Sequence, residues 1–170
     1  MHTRSVALGG ISSAFTIILL YLTSIMPTSR LFMLCLCSFV VAVMVVELGF
    51  KNGTMFYLTT SVLSFLLIPS KTMVLLYIAF FGIYGLIKAQ IEFLQNKIPQ
   101  IILKLVTFNL LLAIIINLTR IVTGIETIIS QPPPLRTWTL WLGLQLAFVF
   151  YDYTFTVVIS YYCRRFHGRI

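Results

Sequence analysis

The chain has 170 residues, 59% of them hydrophobic and 9% charged, with a net charge of +8 and a mean hydropathy of +1.02. A soluble domain carries roughly 25% charged residues, so a water-soluble fold of this size would leave too much apolar surface exposed. An all-α integral membrane protein is the class that remains. In that class, basic residues flanking apolar helices are an orientation signal and not a nucleic-acid footprint.

Six apolar segments follow one another, which predicts a single bundle of six transmembrane helices over residues 1–170. The first runs from Val6 to Met26 and is stopped by Pro27. It is too long for the apolar core of a signal peptide and lacks a small-residue cleavage site, so no cleavable leader is expected. Its first half is crowded with Ala7, Gly9, Gly10, Ser12, Ser13 and Ala14. Gly9 with Ser13 and Gly10 with Ala14 are small-xxx-small pairs, the spacing that lets another helix approach closely. The approaching helix belongs either to this chain or to a separate membrane subunit.

The second segment, Leu31 to Phe50, is predicted to stop at Lys51-Asn52-Gly53. The third, Thr54 to Ile68, stops at Pro69-Ser70-Lys71. The fourth, Thr72 to about Glu92, has sixteen uncharged residues before Lys88 and is long enough to cross a bilayer core. Lys88 and Glu92 lie one turn apart. A Glu47–Lys88 pair, or Lys88 with Glu92, would neutralise these charges, with the lysine snorkelling to the interface. The fifth segment runs from about Gln100 to Leu118, with Pro99 in its first turn. The sixth runs from Trp138 to Cys163.

Most links are short, so neighbouring helices should be antiparallel. The exception is Thr119 to Thr137, which contains Arg120, Gly124, Glu126 and the run Pro132-Pro133-Pro134. Three prolines do not fit inside a regular helix, and a long loop in a compact domain is often functional. With six spans both termini share a side. That side holds eight basic residues (Arg4, Lys51, Lys88, Lys97, Lys104, Arg164, Arg165, Arg169) against four on the other (Arg30, Lys71, Arg120, Arg136). The positive-inside rule then places both termini in the cytoplasm of a bacterial plasma membrane and the proline loop outside.

No catalytic constellation is present: there is no HExxH, nucleophile elbow, phosphate loop or close carboxylate pair. His2 and His167 lie in the tails. Cys35 and Cys37 would point in different directions on one helix, which argues against a metal site. The expectation is a non-enzyme without cofactor. The informative residues are polar groups in apolar surroundings. Asp152, between Tyr151 and Tyr153, is costly at mid-membrane unless paired or protonated. It is either a ligand contact or a packing hydrogen bond to a neighbour such as Asn109. Asn117, Arg120 and Glu126 gather at the outer end of the fifth segment, near Trp138 and Trp141. Polar groups beside aromatic rings are the usual composition of a small-molecule pocket. Arg120 suits bidentate contact with a carboxylate or phosphate. Tyr84 and Asp152 would form a deeper floor, and the turn Thr28 to Arg30 part of a lid.

Size, six spans with both termini inside, Gly10-x-x-x-Ala14, the turn Pro27-Thr28-Ser29-Arg30 and the long loop before the last helix together resemble the substrate-binding S components of energy-coupling factor vitamin transporters. The pair Gly10 and Ala14 is similar to that family's AxxxA motif, with glycine in the first place. The resemblance implies a subunit that captures a small solute, a vitamin or precursor, from outside. It also implies docking on a transmembrane coupling subunit driven by two cytoplasmic ATPases. Gly9, Gly10, Ser13 and Ala14 would then face the coupling subunit, and the pocket would be lined by the fourth to sixth helices. The competing class is a non-catalytic scaffold subunit of a cell-envelope complex, which needs docking faces but no solute pocket. A channel subunit would need a continuous polar path, and the polar residues here are too sparse for one.

Overall fold

The computed structural model describes the backbone of residues 2–26, 28–91, 97–123 and 134–166, and the side chains within those ranges except 2–4, 97–98, 119–123, 134–137, 140 and 166. The described residues are helical almost throughout, with no strand among them. The helices are α1 (His2–Ile25), α2 (Arg30–Leu67), α3 (Lys71–Leu76), α4 (Ile83–Ile91), α5 (Lys97–Thr123) and α6 (Pro134–Phe166). A π-helical turn, Tyr77–Gly82, joins α3 to α4 without interruption. Five continuous helical stretches are long and apolar enough to cross a membrane: Ser5–Ile25, Arg30–Leu67, Lys71–Ile91, Pro99–Leu118 and Trp141–Arg165. The chain divides into two compact units, Met1–Thr119 and Arg120–Ile170.

The second and third predicted segments form one helix of 38 residues. Straight, it would be about 57 Å long, nearly twice the ~30 Å core of a bilayer. It is not straight. Gly49 has φ +82° and ψ 166°, a combination essentially confined to glycine. A Cβ built on Gly53 would lie 2.9 Å from Val45 Cα, although eight residues of straight helix span about 12 Å. The chain therefore doubles back at Gly49 into two arms, 30–48 and 50–67, each about 27 Å long. The expected stop at Lys51-Asn52-Gly53 is displaced by a few residues, because Lys51 and Asn52 begin the second arm. Asn52 Nδ2 donates across the break to the Leu48 carbonyl at 3.0 Å.

The buried face of α1 is Thr16, Leu19, Leu20 and Thr23, a three-and-four spacing that makes one stripe. It packs on α2. Thr16 and Thr23 satisfy their hydroxyls on the Ser12 and Leu20 carbonyls of their own helix, so the stripe buries no open donor there. The second arm of α2 turns a stripe of small and hydroxyl-bearing residues inward, Gly53, Tyr57, Thr60, Ser61 and Ser64, with Phe56 beside them. It meets the π turn. Tyr57 donates its hydroxyl to the Ile78 carbonyl at 2.8 Å, and the Thr60 and Tyr77 hydroxyls lie 2.8 Å apart. A Cβ on Gly82 would lie 2.5 Å from Tyr57 Cε2. A π turn inserts an extra residue into a helix, and here the flat Tyr57 ring occupies the space beside it.

The last turn of α2 is capped by Lys71, whose Nζ donates to the Phe65 and Ile68 carbonyls. A cation there complements the negative end of the helix dipole. α5 and α6 are longer than their apolar segments predict. Pro134 stands at the first position of α6, where its missing N–H costs no helical bond. Residues 119–123 of the expected long loop belong to α5. Residues 124–133, with Glu126, Pro132 and Pro133, lie outside the described ones.

Candidate functional site

The small residues of α1 divide into covered and open ones. Ala14 and Gly10 are exposed, and a Cβ added at Gly9 or Gly10 would meet nothing within 4 Å. Gly9, Gly10 and Ser13 form one wall of a groove of about 480 Å³, and Asn52, Met55, Phe56 and Thr59 of the second arm form the other. The hydroxyl protons of the groove are committed locally: Ser13 donates to Gly9 O at 2.7 Å and Thr59 to Met55 O at 2.9 Å. Around the groove, α1 presents Val6, Ile11, Phe15 and Ile18 outward, all more than half exposed. A concave strip of glycine edged by apolar knobs matches the surface that membrane helices use to approach one another.

The residues expected to bind a solute are distributed over both units. In the first, Arg30 begins α2 and is half-buried, and its Nε is enclosed without a hydrogen-bond partner. Ser24, in the last turn of α1, has an enclosed hydroxyl in the same condition. These two groups bracket the α1–α2 turn. Tyr84 is fully buried. Its ring stacks on Phe80 at 5.8 Å and 11°, and Phe80 meets Phe108 of α5 edge-on at 5.8 Å. Tyr84 is thus a member of an aromatic core. Asn117 is exposed, and its amide donates to Ala113 O at 2.8 Å.

In the second unit Trp138 and Trp141 are exposed and pack edge-to-face at 6.3 Å. Asp152 is half-buried, and its backbone carbonyl accepts the Thr156 hydroxyl. The side chain of Arg120 and the whole of Glu126 lie outside the described residues. The structure thus joins Gly9, Gly10 and Ser13 in one groove and Trp138 with Trp141 in one pair.

Lys88 is 2% exposed while Glu47 is exposed, so the lysine is enclosed and does not snorkel to the surface. Glu92 lies outside the described residues. Cys35, Cys37 and Cys163 are free thiols, and Cys37 Sγ approaches the Thr16 carbonyl at 3.8 Å. Among the described residues no group of three or more His, Cys, Asp or Glu is placed to hold a metal.

The sequence reading missed the contact of Tyr57 and Thr60 with the π turn. Its one legible signal is the spacing of Gly53, Tyr57, Ser61 and Ser64, a polar stripe in an otherwise apolar helix. No protein-family model, curated protein or solved structure matches the chain.

Proposed function

We propose that the chain is a multi-pass membrane subunit that docks on a partner helix through the open face of α1. In the fuller form of this proposal it is the substrate-binding component of an energy-coupling-factor-type importer. The observation that carries the docking is the space around Gly9 and Gly10. If their smallness served packing within this chain, an added Cβ would collide, as it does at Gly53 and Gly82; at Gly9 and Gly10 it meets nothing. The space left by the missing side chains is available to another molecule.

In this proposal six helical arms cross the membrane, with the two arms of α2 counted separately. Both termini are cytoplasmic, on the distribution of eight basic residues against four. A small solute enters from outside at the end of the first unit that carries the α1–α2 turn, with Arg30 as its proposed contact. The unpartnered Nε of Arg30 supports that placement, since a buried guanidinium N–H without an acceptor is a cost of about 1–3 kcal/mol that an anionic group would remove. The chain performs no chemistry itself. A coupling subunit with cytoplasmic ATPases drives release.

The test is co-expression with a candidate coupling subunit and its ATPases, followed by affinity purification of Gly10→Leu and Ala14→Leu. Both variants should insert and fold as the parent does and lose the partner. Retention of the partner by folded variants removes the docking proposal. Solute binding is measured separately, across a panel of vitamins and precursors. A partner that is retained by the parent while nothing in the panel binds leaves a scaffold subunit as the function.

A further inference from the structure

The helical stretch Lys71–Ile91 has an outward line that an uninterrupted α-helix would not give it. Among the described residues of that stretch only Lys71 and Gln90 are exposed. They are nineteen residues apart. At about 100° per residue, an α-helix would set them about 100° apart around the axis. The extra residue of a π turn takes back about that much rotation and returns Gln90 to the side of Lys71.

The inward side obeys the same count. Tyr77 and Gly82 are five residues apart, which in an α-helix means about 140°. Both nevertheless meet Tyr57. The Tyr57 and Tyr77 ring centroids lie 6.3 Å apart, and a Cβ on Gly82 would lie 2.5 Å from Tyr57 Cε2. With the extra residue the two positions are only about 40° apart, so one ring touches the helix on both sides of the insertion. The same ring carries the hydroxyl that donates to Ile78 O inside the turn.

The charge that depends on this rotation is Lys88. It is 2% exposed, and it is the one charged side chain buried among the described residues. It follows Tyr77 by eleven residues, which in an uninterrupted α-helix would set it within about 20° of Tyr77. That line faces the second arm of α2, where the Tyr77 hydroxyl meets Thr60. The insertion turns the lysine about 100° away from it.

We propose that the π turn is a phasing device: one inserted residue that sets the rotation of α4 against α3 and so keeps Lys88 in its enclosed position. The consequence is specific. Removing one residue inside the turn should leave a continuous α-helix with both faces in place. Without Ala79, Gly82 stands four residues after Tyr77, still about 40° from it. Removing a residue beyond the turn should instead rotate everything after it. This phasing depends on neither the docking nor the solute of the proposed function.

The experiment compares the parent with full chains lacking Ala79, Ile78 or Gly85, each purified in mild detergent. Gly85 is the matched control, because its loss removes no side chain but turns Leu86, Lys88 and Ile91, all buried, by about 100°. At least one of the two removals inside the turn should lower the melting temperature by no more than about 4 °C, whereas removal of Gly85 should lower it by at least about 8 °C or abolish the folded species. Reductive methylation of the folded proteins, read by mass spectrometry, follows the lysine itself. Exposed Lys51 should react in every chain, and Lys88 should stay as unreactive in the tolerated deletion as in the parent. The proposal is overturned when neither removal inside the turn is better tolerated than removal of Gly85. A deletion inside the turn that folds but leaves Lys88 reactive overturns it as well.

Discussion

A methyl group built on Gly53 would lie 2.6 Å from Val45 Cγ2, and one on Gly82 2.5 Å from Tyr57 Cε2, whereas on Gly9 or Gly10 it would meet nothing within 4 Å. Four glycines in similarly apolar helices thus have two different uses. Gly53 lets the second arm of α2 close on the first, and Gly82 admits the Tyr57 ring beside the π turn. At these two positions the neighbouring group is already present and is part of this chain. At Gly9 and Gly10 the space beside the helix is open. The structure thus separates glycines packed against their own chain from glycines with open space beside them.

The sharpest way to break the comparison is at Gly53. The obstruction there includes the Val45 backbone as well as a movable side chain, so relief requires the two arms of α2 to separate. Gly53→Val should cost about 3 kcal/mol or more and be seen as loss of the monodisperse folded species in size-exclusion chromatography. A normal melting profile for that variant would mean that the arms are not closed on each other. Gly82→Ala presses on the ring of Tyr57, which is held at its hydroxyl by Ile78 O, and should cost about 1–3 kcal/mol in a thermal melt of the detergent-solubilised protein. Measured in a Tyr57→Ala background, the cost of Gly82→Ala should largely vanish if the ring is the obstacle.

Next in size is the turn itself. Gly49→Ala places a side chain at φ +82° and ψ 166°, with open space around it. Its cost is therefore conformational only, about 1–3 kcal/mol. The same substitution at Gly10, also in open space but in helical backbone, should be neutral or slightly stabilising, since alanine is a better helix former by about 1 kcal/mol at most. A Gly49→Ala variant as stable as Gly10→Ala would show that the chain does not need the sharp reversal.

These positions also show how far the sequence is legible. The apolar arms are, because a helix that faces apolar surroundings is apolar on every side and needs no pattern to be found. The reversal inside α2 is legible only to within a few residues. Lys51-Asn52-Gly53 looks like a stop because polar and flexible residues commonly end helices, but the chain spends Gly49 on the turn and Gly53 on close approach. Composition does not distinguish those two uses of glycine. The π turn was not legible at all: Tyr77 to Gly82 has no unusual residue, and its register depends on Tyr57, twenty-one residues upstream of Ile78. Of the candidate site, the run of small residues on α1 is legible from its spacing, while the unpartnered Arg30 Nε depends on tertiary surroundings that spacing does not contain.

Removing single hydroxyls tests whether the packed region is held by its polar contacts or by its shape. Tyr57→Phe leaves the ring beside Gly82 and takes away the hydroxyl that bonds Ile78 O. Such bonds inside membrane bundles average about 0.6 kcal/mol, so the melting temperature should fall only slightly, and far less than in Gly82→Ala. A larger fall would make the hydroxyl, and not the fit of ring and glycine, the main support of the π turn.

The smallest effect on stability is expected at Gly10, and it is the most informative. Gly10→Leu adds a large side chain to a helical position with nothing within 4 Å of its Cβ, on the face of α1 already edged by Val6 and Ile11. In the isolated protein the substitution should stay within about ±0.5 kcal/mol of the parent, as a change away from any packed feature does. If a partner helix docks there as proposed, the leucine occupies the approach itself and the helices cannot close. Competition pull-downs at matched protein levels should then show partner capture reduced at least about tenfold, which corresponds to roughly 1.4 kcal/mol. A variant that melts like the parent and still captures the partner would mean that the open glycines face only lipid. A variant that unfolds would mean that the space around Gly10 is filled in the membrane by this chain.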